Sequence, residues 1–173
     1  MITLLTGGSA CGKSTCAESV CVRLGGNLLY IAAMRPFGAE SERRIARHRA
    51  MRKDKGFETI ERYTDLISLK VDSFDTALIE CLCNLTANEM FDPDGAADNA
   101  EDAVISGISA IALQCKNLIV VTNDVGSDGG GYDTATMQYV RALGRINART
   151  AALADNVYEL VAGIPIVLKG ARI

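Results

Sequence analysis

The stretch Gly7-Gly8-Ser9-Ala10-Cys11-Gly12-Lys13-Ser14 sets two glycines five residues apart, then a lysine and a hydroxyl. It matches G-x-x-x-x-G-K-[ST], the signature of a phosphate-binding P-loop. The glycines let backbone N–H groups curl around an anion at the positive end of a helix dipole. Lys13 then reaches the β- and γ-phosphates, and the Ser14 hydroxyl is placed to ligate Mg²⁺. The pattern predicts a nucleotide-binding protein.

Two further side chains suit chemistry on a bound triphosphate. His48 is the single histidine of the chain, and Arg47, Arg49 and Arg52 surround it in sequence. A lone histidine on a charged helix is ordinarily a surface group. Here the neighbouring arginines would gather a triphosphate and stabilise charge developing on it. Neutral imidazole is a competent nucleophile toward phosphorus. Glu80 closes the apolar run Thr76-Ala77-Leu78-Ile79. An acidic residue at that place serves Mg²⁺ in many P-loop proteins. A contact to base or ribose, or plain exposure at a strand end, remains open for it.

The elements that must position these groups read in order. Ile2–Thr6 is a short buried strand, and the segment from Thr15 to Leu24 is a helix stopped by Gly25-Gly26. Asn27–Ala33 is a second buried strand, and Pro36 and Gly38 then break the chain. Glu40 to about Lys55 forms a charged helix with Ile45, His48 and Arg52 on one face. A short strand over Phe57–Glu61, a helix around Asp65–Val71 and a strand over Thr76–Leu82 follow. Asp92–Asp102 is an acidic, solvated loop entering a helix over Val104–Cys115. It lacks the residue order of a calcium loop. Asn117–Asn123 is a buried strand, followed by a glycine-rich loop over Ser127–Gly131 with no side chains to stiffen it. A long helix over Thr134–Leu153 and strands over Asn156–Val161 and Pro165–Leu168 close the chain. Alternating strands and helices give an α/β fold with a mostly parallel sheet. The last two strands, too close for a crossover, should form an antiparallel hairpin.

Composition narrows the function further. The 173 residues are 49% hydrophobic and 23% charged, as expected of one globular domain spanning 1–173. A net charge of −3 gives no overall field for nucleic acid. No apolar run reaches the roughly 20 residues of a membrane span, and the N-terminus enters a strand without a signal pattern, which predicts a cytoplasmic location. The six cysteines read as free, apolar residues of a reducing compartment. Cys81-x-Cys83 should point its thiols apart on a strand, and no second pair completes a zinc site.

Several segments together resemble a known family, the bifunctional adenosylcobinamide kinases and adenosylcobinamide-phosphate guanylyltransferases of cobalamin biosynthesis. They are Leu5-Thr6-Gly7-Gly8 through Lys13-Ser14 and Ala17-Glu18, then Leu29–Ala32, Arg44–Arg49, Leu78–Leu82, Val121–Gly126, Gly144–Asn147 and Ala162–Pro165. The resemblance implies a three-layer, RecA-like P-loop domain assembling as a homotrimer. It implies kinase and guanylyltransferase activities using ATP or GTP, with Mg²⁺ at Ser14 and Glu80 and adenosylcobinamide as acceptor. His48 would carry the guanylyl group, with Lys13 beside it in catalysis. Nucleotide would be bound by Gly7, Gly8, Ser9, Ala10, Cys11, Gly12, Lys13 and Ser14, by Ala32, Ala33 and Met34, by Arg49, Ala50, Met51 and Arg52, and by Glu61 and Glu80. The chain departs from the family pattern in having Arg47 for the first of two histidines, Lys53 for a proline, Gly129-Gly130-Gly131 after Gly126, and Ala148 for a glutamine. Two other readings fit the same motifs: a small-molecule kinase without the guanylyl step, and a non-catalytic nucleotide-binding regulator.

Overall fold

The computed structural model describes residues 1–125 and 130–171. Strand β1 (Ile2–Thr6) leads through the glycine loop into α1 (Lys13–Leu24), followed by β2 (Leu28–Ala32) and α2 (Gly38–Arg52). Then come β3 (Phe57–Glu61), β4 (Thr76–Glu80), α3 (Leu82–Phe91) and α4 (Ala100–Gln114). The order ends with β5 (Asn117–Val121), α5 (Thr134–Leu153), β6 (Asn156–Val161) and β7 (Ile164–Lys169). The strands form one sheet in the order β3-β2-β4-β5-β1-β6-β7. All neighbours are parallel except β6 and β7.

A parallel strand covered on both faces needs apolar side chains on both, which is why Ala77-Leu78-Ile79 and Leu118-Ile119-Val120 are uninterrupted and fully buried. Helices α3, α4 and α5 pack on one another over one face, while α1 packs on β4 and β5 from the other. The closing hairpin turns through Ala162 and Gly163, both in the left-handed region (φ 51° and 81°), the backbone that a two-residue hairpin requires.

Register places the site. Ala32 pairs with Glu61 on one side and Glu80 on the other, and Tyr30 pairs with Thr59 and Leu78. Side chains alternate along a strand with period two, so Tyr30, Ala32, Thr59, Glu61 and Glu80 leave the same face near the carboxyl edge. Helix α2 lies over that face.

Three expectations change. The segment 65–71 is not a helix but a 3-10 turn over Leu66–Ser68. Its backbone is claimed by tertiary partners: Glu89 accepts from the Asp65 N–H at 2.7 Å, and Gln114 accepts from the Val71 N–H at 3.0 Å. Leu66 seats over Gly107 of α4, where an added Cβ would meet the Leu66 Cβ at 2.5 Å. The strand expected to reach Leu82 stops at Glu80, and α3 follows at once. Its inward positions include Thr86 and Glu89, polar residues that hid the helical period. Cys83 therefore stands in the first turn of α3 and not on a strand beside Cys81. The glycine-rich loop expected over 127–131 lies mostly outside the described residues. All six cysteines are free, as expected.

Candidate functional site

The phosphate loop is built by close packing at its two ends. Gly7 leaves β1 at φ 138°, and a Cβ there would meet the Leu160 carbonyl oxygen at 2.6 Å, so only glycine passes beside β6. Gly12 enters α1 at φ 96°. Lys13 is the first residue of α1 and is buried, at 6% exposure. Its ammonium folds back across the loop, donating to the carbonyls of Gly7 (2.9 Å) and Gly8 (2.5 Å). The lysine is therefore held inside the curve that the loop describes.

Glu80, at the end of β4, is where the elements meet. Its Oε1 accepts from the Ser14 hydroxyl, and its Oε2 accepts from the Tyr30 phenol at 2.9 Å. Burial first, then the Glu80 charge, push the Tyr30 hydroxyl well above its usual range, so it stays a donor. The guanidinium of Arg52 covers the Tyr30 ring at 3.3 Å from its centroid, a cation–π contact strengthened by desolvation. His48 reaches the same spot, with Nδ1 3.6 Å from Glu80 Oε1. As the sequence predicts, Ile45, His48 and Arg52 lie on the sheet-facing side of α2, and Arg52 alone on that helix is buried.

At the outer end Arg49 donates to Glu61 at 2.6 Å, and the Tyr63 phenol donates to the same carboxylate at 2.7 Å. Those contacts, Tyr63 first and then Arg49, hold the Glu61 carboxyl below its ordinary value. Among the cysteines, the neighbouring Cys81 side chain is the largest influence on the Cys83 thiol, which is lowered to about 6 against the opposing effect of burial. The Cys81 thiol moves up.

Together these groups enclose a cavity of about 640 Å³. Of the residues named from sequence, Ser9, Ala10, Cys11, Gly12, Lys13 and Ser14 line it, as do Ala32, Met34, His48, Arg49, Met51, Arg52, Glu61 and Glu80. Gly7 and Gly8 do not line it, and their carbonyls instead accept from Lys13, which does. Ala33 is instead buried in the core, its N–H donating to the Glu80 carbonyl at 3.1 Å. Ala50 is on the exposed side of α2. Sequence reasoning missed Tyr30, Thr59 and Asn84 in the wall, and Glu18 beneath it. A tyrosine and a threonine two positions before Ala32 and Glu61 on their strands are the signal that strand alternation offered.

A family model described as cobinamide kinase / cobinamide phosphate guanyltransferase matches residues 3–168. The bifunctional adenosylcobalamin biosynthesis protein CobU of Escherichia coli strain K12 is 30% identical over 183 residues, covering 98% of this chain and 100% of that protein. The protein of the same name from Salmonella typhimurium is 31% identical, with the same coverage. Among solved structures, a KaiC-like protein from the hyperthermophilic archaeon Pyrococcus horikoshii superposes with a TM-score of 0.54 at 12% identity, covering 99% of this chain and 80% of that one. That likeness concerns the fold, a P-loop NTPase of RecA-like type.

Proposed function

The chain belongs to the cobinamide kinase / cobinamide phosphate guanyltransferase family, and from that premise we propose that His48 is the nucleophile of a two-step guanylyl transfer. The acceptor is phosphorylated adenosylcobinamide, and the same site phosphorylates adenosylcobinamide with a nucleoside triphosphate beforehand. The observation that carries this reading is the shared cavity. His48 stands 3.6 Å from Glu80, and Glu80 accepts the hydroxyl of the P-loop's own Ser14. The chain's one histidine is thus beside the place where a triphosphate would lie.

In the first displacement an imidazole nitrogen forms a bond to the α-phosphorus of GTP, and the bond to the bridging oxygen breaks, releasing pyrophosphate. In the second, a phosphate oxygen of the corrinoid substrate attacks the same phosphorus, and the imidazole leaves with its electron pair. Dividing one transfer in two is ordinary covalent catalysis. Nδ1 faces the Glu80 carboxylate, which leaves Nε2 free to attack. Lys13 and the loop N–H groups offset the charge developing on the phosphates, and Arg49 at the cavity's outer end adds a further cation. Ser14 and Glu80, already joined by a hydrogen bond, fit Mg²⁺ as ligands, and the ion when bound supplies further neutralisation of the triphosphate.

The exposed β7, with Ile164 at 66% and Leu168 at 58% exposure, supports assembly into the homotrimer that the family resemblance implies. Use of nucleoside triphosphates supports a cytoplasmic site of action, and among the described residues no helix is long and apolar enough to cross a membrane. Incubation with GTP labelled at the α-phosphorus tests the reading. Label retained on denatured protein, lost in acid and stable in base, is the expected result for phosphorus on imidazole nitrogen. Absence of label, with kinase activity intact, assigns the chain to the kinase step alone. Absence of both leaves a nucleotide-binding regulator.

A further inference from the structure

Glu18, in the second turn of α1, is fully buried. Its Oε2 accepts from Lys55 Nζ at 2.5 Å, but its Oε1 meets no donor. His48 Nδ1 is also buried and makes no hydrogen bond, standing 3.6 Å from Glu80 Oε1. A buried carboxylate oxygen or ring nitrogen left without a hydrogen bond is destabilising, and here the two side chains that carry them meet. One ligand atom each from Glu18, His48 and Glu80 lies within 4.8 Å of the other two, the one such set of three among the described residues.

We propose that Glu18, His48 and Glu80 form a site for a divalent transition-metal ion. An ion bound at about 2.0–2.2 Å with tetrahedral angles sets its ligands about 3.3–3.6 Å apart. Glu80 Oε1 and His48 Nδ1 are already 3.6 Å apart. One imidazole and two carboxylates suit Zn²⁺, Co²⁺ or Mn²⁺. Mg²⁺ prefers oxygen ligands and keeps its waters, so this set does not select it. The site differs in that respect from the Ser14–Glu80 pair, although Glu80 contributes to both.

The charges nearby show how an ion could enter. Lys55 pairs with Glu18 in the absence of metal, and the Arg52 guanidinium lies over the Tyr30 ring close by. Arg52 is buried against Tyr30, whereas the Lys55 side chain is 30% exposed and can swing into water. Lys55 is thus the displaceable cation and competes with the metal. An ion in this site joins α1, β4 and α2. Resting on the reading of His48 as nucleophile, it would also fix the imidazole and slow guanylylation until nucleotide displaces it.

Co²⁺ added to the nucleotide-free, full-length protein tests the site by its spectrum. We expect one Co²⁺ per chain, visible d–d bands of the intensity of a four-coordinate ion, no thiolate charge-transfer band, and retention in excess Mg²⁺. Because the chain has a single histidine, one paramagnetically shifted imidazole should appear by NMR. Glu18→Gln should weaken Co²⁺ binding at least tenfold, and Lys55→Gln should tighten it. No binding, a thiolate charge-transfer band, or loss of the ion to Mg²⁺ would overturn the proposal. So would an unshifted histidine signal, which needs no variant and decides the matter if Glu18→Gln does not fold. None of these readouts depends on guanylylation, so the metal site and the nucleophile can fail separately.

Discussion

Five of the twelve residues of α1 are buried, against one of the fifteen of α2, although both helices bring side chains to the same cavity. Helix α1 presses Ala17, Val20 and Cys21 onto β4 and β5 and is entered through a loop that the sheet holds by close contact at Gly7. Helix α2 starts at Gly38, after Phe37 and without a side-chain cap, and carries six charged residues from Glu40 to Arg49. It is held to the sheet by the stacking of Arg52 on Tyr30 and the ion pair of Arg49 with Glu61. The difference teaches where precision is built in and where motion is allowed. The phosphate site is cast into the core, whereas the histidine rides on a helix held to the sheet by a few polar contacts.

The most pronounced consequence is dynamic. Amides of α1 should exchange hydrogen only on near-global unfolding, whereas α2 should open at a free energy several kcal/mol lower. Equal protection of the two helices by mass-resolved exchange would erase the comparison. Next in size is stability. Leu5→Ala removes a fully buried side chain under the phosphate loop and should cost about 3 kcal/mol. Ile45→Ala on α2 should cost less than about 1 kcal/mol, the range of a partly exposed site. Chemical denaturation of the two variants reads the contrast directly.

Binding comes third. Lys13→Ala should lower GTP affinity at least tenfold, about 1.4 kcal/mol or more, with the fold retained. Calorimetry giving an unchanged affinity in the folded variant would separate the loop from the nucleotide. The smallest effect belongs to the α2 tether. Arg49 and Glu61 are 62% and 45% exposed, so after solvent screening Arg49→Ala should cost only about 0.2–1 kcal/mol and less in high salt. Glu61 titrates below its unfolded value. Its small contribution is therefore present above the unfolded carboxylate range and is lost as pH falls through the folded value. Denaturation midpoints measured across acidic pH, with and without Arg49, would show that slope flatten in the variant.

How far the sequence discloses these features follows from the same contrast. The loop and β1 are legible because a fixed spacing and an apolar run dictate both conformation and chemistry. The long helix is legible too, its amphipathic period intact from Thr134 to Leu153 and capped by Asp133, which accepts the Thr136 N–H at 2.9 Å. The seven-strand sheet and its terminal hairpin follow from element order. What stayed hidden depends on partners distant in sequence. Glu89 and Gln114 hold the backbone of 65–71 out of a helix, and the apolar Cys81-Leu82-Cys83 masks the start of α3. The burial of Glu18 depends on Lys55, thirty-seven residues away, which pairs with it. The cavity wall around His48 needed the β2–β3–β4 register, which no local pattern contains.

The covalent role of His48 is tested most directly by intact-mass analysis of the wild-type protein and His48→Asn after incubation with GTP and Mg²⁺ at neutral pH. The amide cannot form a phosphoramidate, and the phosphate loop is untouched by the change. The account predicts one guanylyl adduct on the wild type, removed by acid, and none on the variant, which still binds GTP. An acid-labile adduct persisting on His48→Asn would contradict it, since the chain has no second histidine to take the group.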